Sequence, residues 1–87
     1  MTEYSVEVRV TPRRGILDPQ GSAVRGALRS LGFAGVGEVH VGRLIVFPVE
    51  AESEDAAAER VEAMCRQLLA NPVTEDFDVR VTAPAAA

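Results

Sequence analysis

The chain has 87 residues, 47% of them hydrophobic, and a formal net charge of −4 at pH 7. That length bounds it to one small domain, and that hydrophobic share separates it from disordered chains. The acidic total excludes a dedicated nucleic-acid binder, which needs a basic face. A single cysteine excludes an internal disulfide and a multi-cysteine zinc site.

Aromatic residues are scarce, with three Phe, one Tyr and no Trp, so the core must come from Val, Leu and Ala. A core of that kind often gains stability by oligomerising. Charge is unevenly spread: residues 1–49 carry six Arg against four acids, whereas residues 50–87 carry three Arg against nine acids. Opposite-signed halves suit docking between chains, though solvated faces are the commoner reason for such asymmetry. The opening MTEYSVEVRV has no basic-then-apolar signal pattern, and no apolar run approaches the roughly 18 residues of a membrane span. The expectation is a soluble cytoplasmic protein.

Residues 4–10, YSVEVRV, alternate: Tyr4, Val6, Val8 and Val10 face one way, Ser5, Glu7 and Arg9 the other. That is a half-buried strand. Next comes RRGILDPQG at 13–21, in which Asp18 caps a helix and Pro19 opens it with φ already set. Val24, Ala27, Leu28 and Leu31 recur as an amphipathic stripe. Gly32 supplies a left-handed stop that lets Phe33 fold back onto Leu28. Gly21 and Gly26 weaken this helix, which points to close approach of another backbone.

Residues 36–49, VGEVHVGRLIVFPV, predict two strands meeting around Gly42, with Val39 and Val41 on one face. From 44 to 49 both faces are apolar, so one face is expected to meet a second subunit. Pro48 marks the strand's end or a bulge. Ser53, followed by Glu54 and Asp55, caps a second helix. Its buried stripe runs through Ala57, Ala58, Val61, Met64, Cys65, Leu68 and Leu69, and Asn71-Pro72 ends it. Phe77, Val79 and Val81 alternate with Asp78 and Arg80 as a last strand.

The order βαββαβ predicts an α+β ferredoxin-like sandwich: a four-stranded antiparallel sheet with two helices on one face, dimerising. Residues 1–82 form a single domain and 83–87 a disordered Ala/Pro tail. The fold does not give the function.

Little in the chain offers catalysis. His40 reads as a surface or interface histidine, and Cys65 as a small core residue. Glu75, Asp76 and Asp78 are acidic, but a metal wants more convergent oxygens than their spacing gives. No Walker A, dinucleotide or nucleophile-elbow motif is present. A phosphate reading of the 13–21 loop would use Arg13 or Arg14 with the helix N-terminus. Asp18 opposes it, because its carboxylate would take the N–H groups an anion needs. Arg13 and Arg14, with Arg25 and Arg29 four residues apart, form a candidate basic strip for an acidic partner.

Two stretches together resemble one family. Gly15-Ile16-Leu17-Asp18-Pro19-Gln20-Gly21 with Ala23-Val24 and Ala27-Leu28 resembles the first-helix signature of PurS, the small subunit of phosphoribosylformylglycinamidine synthase. Val41-Gly42-Arg43 resembles that family's Val/Ile-Gly-Lys turn. Cys65, Leu68-Leu69-Ala70-Asn71-Pro72-Val73 and Glu75-Asp76-Phe77 resemble its second-helix ending. Departures are mild. Arg13 and Arg43 stand where the family more often has Lys, Phe77 replaces a frequent Tyr, and Leu44 a common aromatic.

The resemblance implies a non-catalytic subunit of a purine-synthesis ligase. A large subunit, carrying ATP and magnesium, activates the amide of formylglycinamide ribonucleotide, and a glutaminase subunit supplies ammonia. The small subunit, a homodimer or dimer of dimers, bridges the two, with no catalytic, cofactor or metal residue of its own. Candidate interface residues on the first helix and its loop are Arg13, Arg14, Asp18, Pro19, Gly21, Arg25 and Arg29. Gly42, Arg43, Asn71, Pro72 and Glu75 complete the set. No nucleic acid or membrane partner is expected. The competing reading is an ACT-like sensor with the same element order, holding an amino acid or nucleotide beside the first strand–helix loop.

Overall fold

Strict alternation places β1, Thr2–Pro12, at the centre of the molecule. Tyr4, Val6, Val8 and Val10 face one side and are buried, since β-branched residues at every second position pack well on a pleated surface. The flanking strands are β2, Arg43–Ala51, and β3, Glu75–Pro84. Both pair antiparallel with β1, giving the order β2-β1-β3. Val6 lies opposite Phe47 and Val81, and Val8 opposite Ile45 and Val79. These cross-strand partners make one face of the sheet apolar over all three strands.

The computed structural model describes residues 1–84. The backbone of β3 runs through Pro84, which lies opposite Tyr4. The rest of the expected tail, 85–87, lies outside the described residues.

The helix α2, Glu54–Met64, covers the apolar face. Ser53 Oγ accepts from the Ala56 N–H at 3.1 Å, and Glu54 and Asp55 sit in the first turn, where negative charge complements the helix dipole. Ala57, Val61 and Cys65 are fully buried beneath it. At Cys65 the helix widens into a π-helical turn, Cys65–Leu69, with the Ala70 N–H donating to the Cys65 carbonyl at 3.0 Å. The wider turn breaks the 3.6-residue period. Leu68, expected on the buried stripe, is therefore 82% exposed, whereas Leu69 packs against the core.

Three expectations need correction. The sheet has three strands, because 36–42 forms no ladder with any described strand. This stretch is committed elsewhere: the Val41 N–H donates to the Asp18 carboxylate at 2.8 Å. Pro48 neither ends β2 nor bulges it, but sits inside it opposite Ser5. An edge strand tolerates its missing N–H.

The third correction concerns α1, Pro19–Ser30. Its termini form as expected. Asp18 caps the start, and Gly32, at φ +100°, ends it, with Gly32 N–H bonded to Arg29 O and Phe33 N–H to Leu28 O. Phe33 itself stays exposed. The helix does not lie beside α2 over the sheet. Its one buried residue is Gly21, and Val24 and Leu31 of the apolar stripe are exposed. With α1 projecting, the molecule measures 51 × 29 × 15 Å.

Candidate functional site

Asp18 and Gly21 fasten the start of α1 to the extended 38–42 segment. Asp18 Oδ1 accepts from the Gly21 N–H at 3.0 Å and Oδ2 from the Val41 N–H at 2.8 Å. The cap thus spends both oxygens, one on its own helix and one on a segment 23 residues away. His40 Nδ1 lies 3.7 Å from Asp18 Oδ2, and its Nε2 lies 3.5 Å from Glu38 Oε1. Gly21 is where the two backbones meet, since a Cβ there would collide with the Val39 carbonyl oxygen. The close approach expected at Gly26 is not found, for a Cβ there meets open space.

A second cluster joins the beginnings of β2 and β3 to the end of the π-helical turn. Arg43 donates to Glu75 through Nη1 at 2.7 Å and Nη2 at 3.0 Å, and Nη2 also donates to the Leu69 carbonyl at 2.6 Å. Glu75 Oε1 accepts the Asn71 N–H at 2.8 Å, and Asn71 Oδ1 accepts the Val73 N–H at 2.9 Å. The bidentate fork suits a planar guanidinium and no ammonium could reproduce it. Pro72 lies in the turn this network closes. Gly42, just before Arg43, leaves no room for a Cβ against the Val10 carbonyl. A cleft of about 270 Å³ is lined by residues of both clusters, among them Asp18, Gln20 and Val41 and Arg43, Thr74 and Glu75.

The structure thus brings Asp18, Pro19 and Gly21 together, and Arg43, Asn71, Pro72 and Glu75 together. Of the four arginines, Arg13 is turned to the start of β3. Arg13 Nε pairs with Asp76 Oδ1 at 3.2 Å, and its backbone N–H donates to Thr74 O. Arg14 lines a hollow with Gly15, Glu38 and His40, Arg25 lines an adjoining one with Asp18, Glu38, Val39 and His40, and Arg29 lies one turn further along α1. Sequence reading anticipated none of the contacts that join these residues: Val41 to Asp18, Arg43 to Glu75 and Leu69, Arg13 to Asp76, Asn71 to Glu75, and His40 to its two carboxylates. Only Glu38 was within reach of a local signal, being two residues from His40 in extended chain.

Hydrogen bonds from Gly21 and Val41 hold the Asp18 carboxyl below its ordinary 3.8. The Arg43 fork, then the Asn71 N–H, hold Glu75 below its ordinary 4.5. Burial pushes the Cys65 thiol above 9.0, which keeps it protonated and unreactive. Both depressed carboxyls stabilise the fold fully above their ordinary values, and that stabilisation is lost as pH falls through those values toward the lowered ones. Urea midpoints should therefore be flat near neutrality and fall below about pH 5. Asp18→Asn should shrink that acid-dependent loss; an unchanged acid limb in this variant would remove Asp18 from the account.

Among the described residues no group of three or more His, Cys, Asp or Glu could hold a metal ion, and no helix is long and apolar enough to cross a membrane. The sequence profile of PurS, phosphoribosylformylglycinamidine (FGAM) synthase, matches residues 5–83. The chain is 41% identical over 80 residues to a PurS subunit of Synechocystis, covering 92% of this chain and 80% of that one. To a Methanocaldococcus jannaschii PurS subunit it is 40% identical over 78 residues, covering 90% and 94%. Its fold matches a chain in the structure of PurLQS from Thermotoga maritima with a TM-score of 0.85 at 33% identity, covering 94% of this chain and all of that one. It also matches PurS of Bacillus subtilis, with a TM-score of 0.81 at 39% identity over 92% and 99%. The Asp18 cap and the Arg43–Glu75 clamp are therefore features of a chain that belongs to the PurS family of FGAM synthase subunits.

Proposed function

We propose that the protein acts as the non-catalytic small subunit of FGAM synthase in purine biosynthesis, bridging the ATP-dependent synthetase subunit and the glutaminase subunit in the cytoplasm. The observation that carries this reading is a family match spanning residues 5–83, joined to a fold likeness that takes in the whole of a chain from PurLQS. The ACT-like sensor reading is not favoured, because it leaves that match unexplained. A bridging subunit has a physical purpose in such a ligase. Ammonia released into water at neutral pH is mostly protonated and lost, so holding two active sites against each other without intervening water preserves the nucleophile. ATP and magnesium belong to the large subunit in this reading.

The bridging form is a dimer. Its support lies in α1, a 12-residue helix whose apolar stripe is uncovered. A helix of that length is marginal in water without packing, and a second copy of the chain supplies matching apolar surface. The test is reconstitution from the three purified subunits. Omitting this chain should abolish glutamine-dependent turnover while ammonia-dependent turnover persists, and co-elution of the three should be lost. Undiminished glutamine-dependent turnover without it would overturn the reading.

A further inference from the structure

Arg14 and Arg25 line two adjoining hollows of about 430 and 420 Å³, and Glu38 and His40 line both. The hollows form one groove from the loop before α1, past His40, to the second turn of the helix. Asp18, in the same groove, has both carboxylate oxygens engaged by the Gly21 and Val41 N–H groups. Glu38 stands at the rim with its side chain 77% exposed, and its one charged contact among the described residues is His40 Nε2 at 3.5 Å. The arginines are not engaged. Neither Arg14 nor Arg25 enters an ion pair among the described residues. Arg25 is half-buried, and its Nε is shielded from water with no acceptor among the described residues. A shielded donor of this kind costs stability until an acceptor arrives.

Helix geometry separates this groove from the apolar stripe. At 3.6 residues per turn, Ser22, Arg25 and Arg29 fall on one face of α1, and Val24, Ala27 and Leu31 fall on the other. With the stripe covered by a second copy, the basic face stays open to a different protein. Its chemistry selects the occupant. A guanidinium matches a carboxylate, whose two oxygens accept parallel N–H donors. Arg14 and Arg25 stand in separate hollows, and Arg29 lies one turn further on. Several carboxylates in a row satisfy such a line of donors, which an acidic chain segment supplies and a single small anion does not.

We propose that this groove docks an acidic segment of another subunit of the synthase, gripped by Arg14 and Arg25, with Arg29 at its far end. This rests on the bridging reading above and deepens it by naming the surface and the chemistry of what it meets. Glu38 is the opposing charge at the rim. It repels a lone carboxylate, so only a segment carrying several is held, which gives the groove its selectivity.

Titrating the full-length chain into the purified synthetase and glutaminase subunits tests this. Arg14→Glu with Arg25→Glu should weaken three-subunit assembly by about tenfold. Glu38→Gln should tighten it by about threefold, because the first change reverses the grip and the second removes its opponent. Rising salt should weaken wild-type assembly and narrow both differences. In both variants the mass by analytical ultracentrifugation and the melt by circular dichroism should match wild type. Should the double reversal fold poorly, Arg14→Gln with Arg25→Gln reads the same loss, and Glu38→Gln still reads the opposite sign. A double variant that assembles at wild-type affinity would overturn the groove, as would Glu38→Gln that fails to tighten assembly. So would a double variant whose self-association falls, since that places the arginines between copies of this chain. A wild-type chain that joins neither larger subunit overturns the bridging reading instead.

Discussion

Replacing Gly21 with alanine is expected to lower the thermal midpoint by on the order of 10 °C, although alanine is the better helix former. Helix propensity alone favours the change by about 1 kcal/mol. Opposing it, the new Cβ would overlap the Val39 carbonyl oxygen and lie 2.7 Å from Asp18 Oδ2. Neither neighbour is the free end of a flexible side chain. Val39 is backbone, and Asp18 is pinned by the Gly21 and Val41 N–H groups. Relief therefore requires the 38–42 segment to move off the helix, which breaks the Val41 bond and exposes its N–H. Overpacking of this kind costs roughly 1–3 kcal/mol, and the lost bonds add to it. A net loss near 2 kcal/mol corresponds to roughly 10 °C in a domain this small. Gly26→Ala is the matched control. It lies on the same helix with open space at its Cβ, so it should raise the midpoint by a few degrees. Melting both variants by circular dichroism settles it: equal shifts would mean that propensity, not approach to Val39, governs position 21.

The same contrast marks how far the sequence could be read. Gly21 and Gly26 look alike in the chain, both within the first helix and both unfavourable there, and the structure gives a close neighbour to one alone. Periodicity read the strands correctly at Tyr4, Val6, Val8 and Val10 and at Phe77, Val79 and Val81, because a period of two fixes a face whatever the tertiary setting. It also read the caps at Asp18, Ser53 and Gly32, which are local chemistry. It failed where a local pattern meets a non-local choice. The stripe Val24, Ala27, Leu28 and Leu31 identifies a helix with an apolar face, but says nothing of which chain covers it. Likewise Val39 and Val41 alternate like a strand, while the available hydrogen-bond partner for Val41 is a side chain rather than a neighbouring strand. The π-helical turn has no signature in the sequence, and the period that puts Leu68 inward does not continue past Cys65.

The two clusters differ in what they hold. Asp18 fixes an outlying helix, so its loss loosens the part of the molecule expected to reach another subunit. Arg43 fixes three elements of the covered sheet to one another, so its loss acts on the protomer itself. An assembly defect without a stability defect therefore points to α1, and the converse points to the start of β2.

Replacing Arg43 with methionine keeps much of the packing stem and removes the fork, and is expected to lower the thermal midpoint by roughly 5–10 °C. The guanidinium is half exposed at 48%, which screens its charge, but its partner Glu75 is only 19% exposed. Truncating Arg43 leaves that shielded carboxylate with the Asn71 N–H alone, and leaves the Leu69 carbonyl without its Nη2 donor. The orphaned partner makes the loss larger than for an ordinary surface pair. Arg43→Lys should recover part of it, since one ammonium keeps the charge but cannot bind both carboxylate oxygens and the Leu69 carbonyl in the same geometry. The pH profile separates this account from simple loss of packing. With Arg43 gone, Glu75 should titrate nearer its ordinary value, so stability lost below about pH 5 should be smaller in Arg43→Met than in wild type. A double-mutant cycle with Glu75→Gln should show strong coupling between the two positions. If the effects of the two substitutions simply add, the fork is incidental, and the junction of β2, β3 and the π-helical turn is held by backbone and core contacts alone.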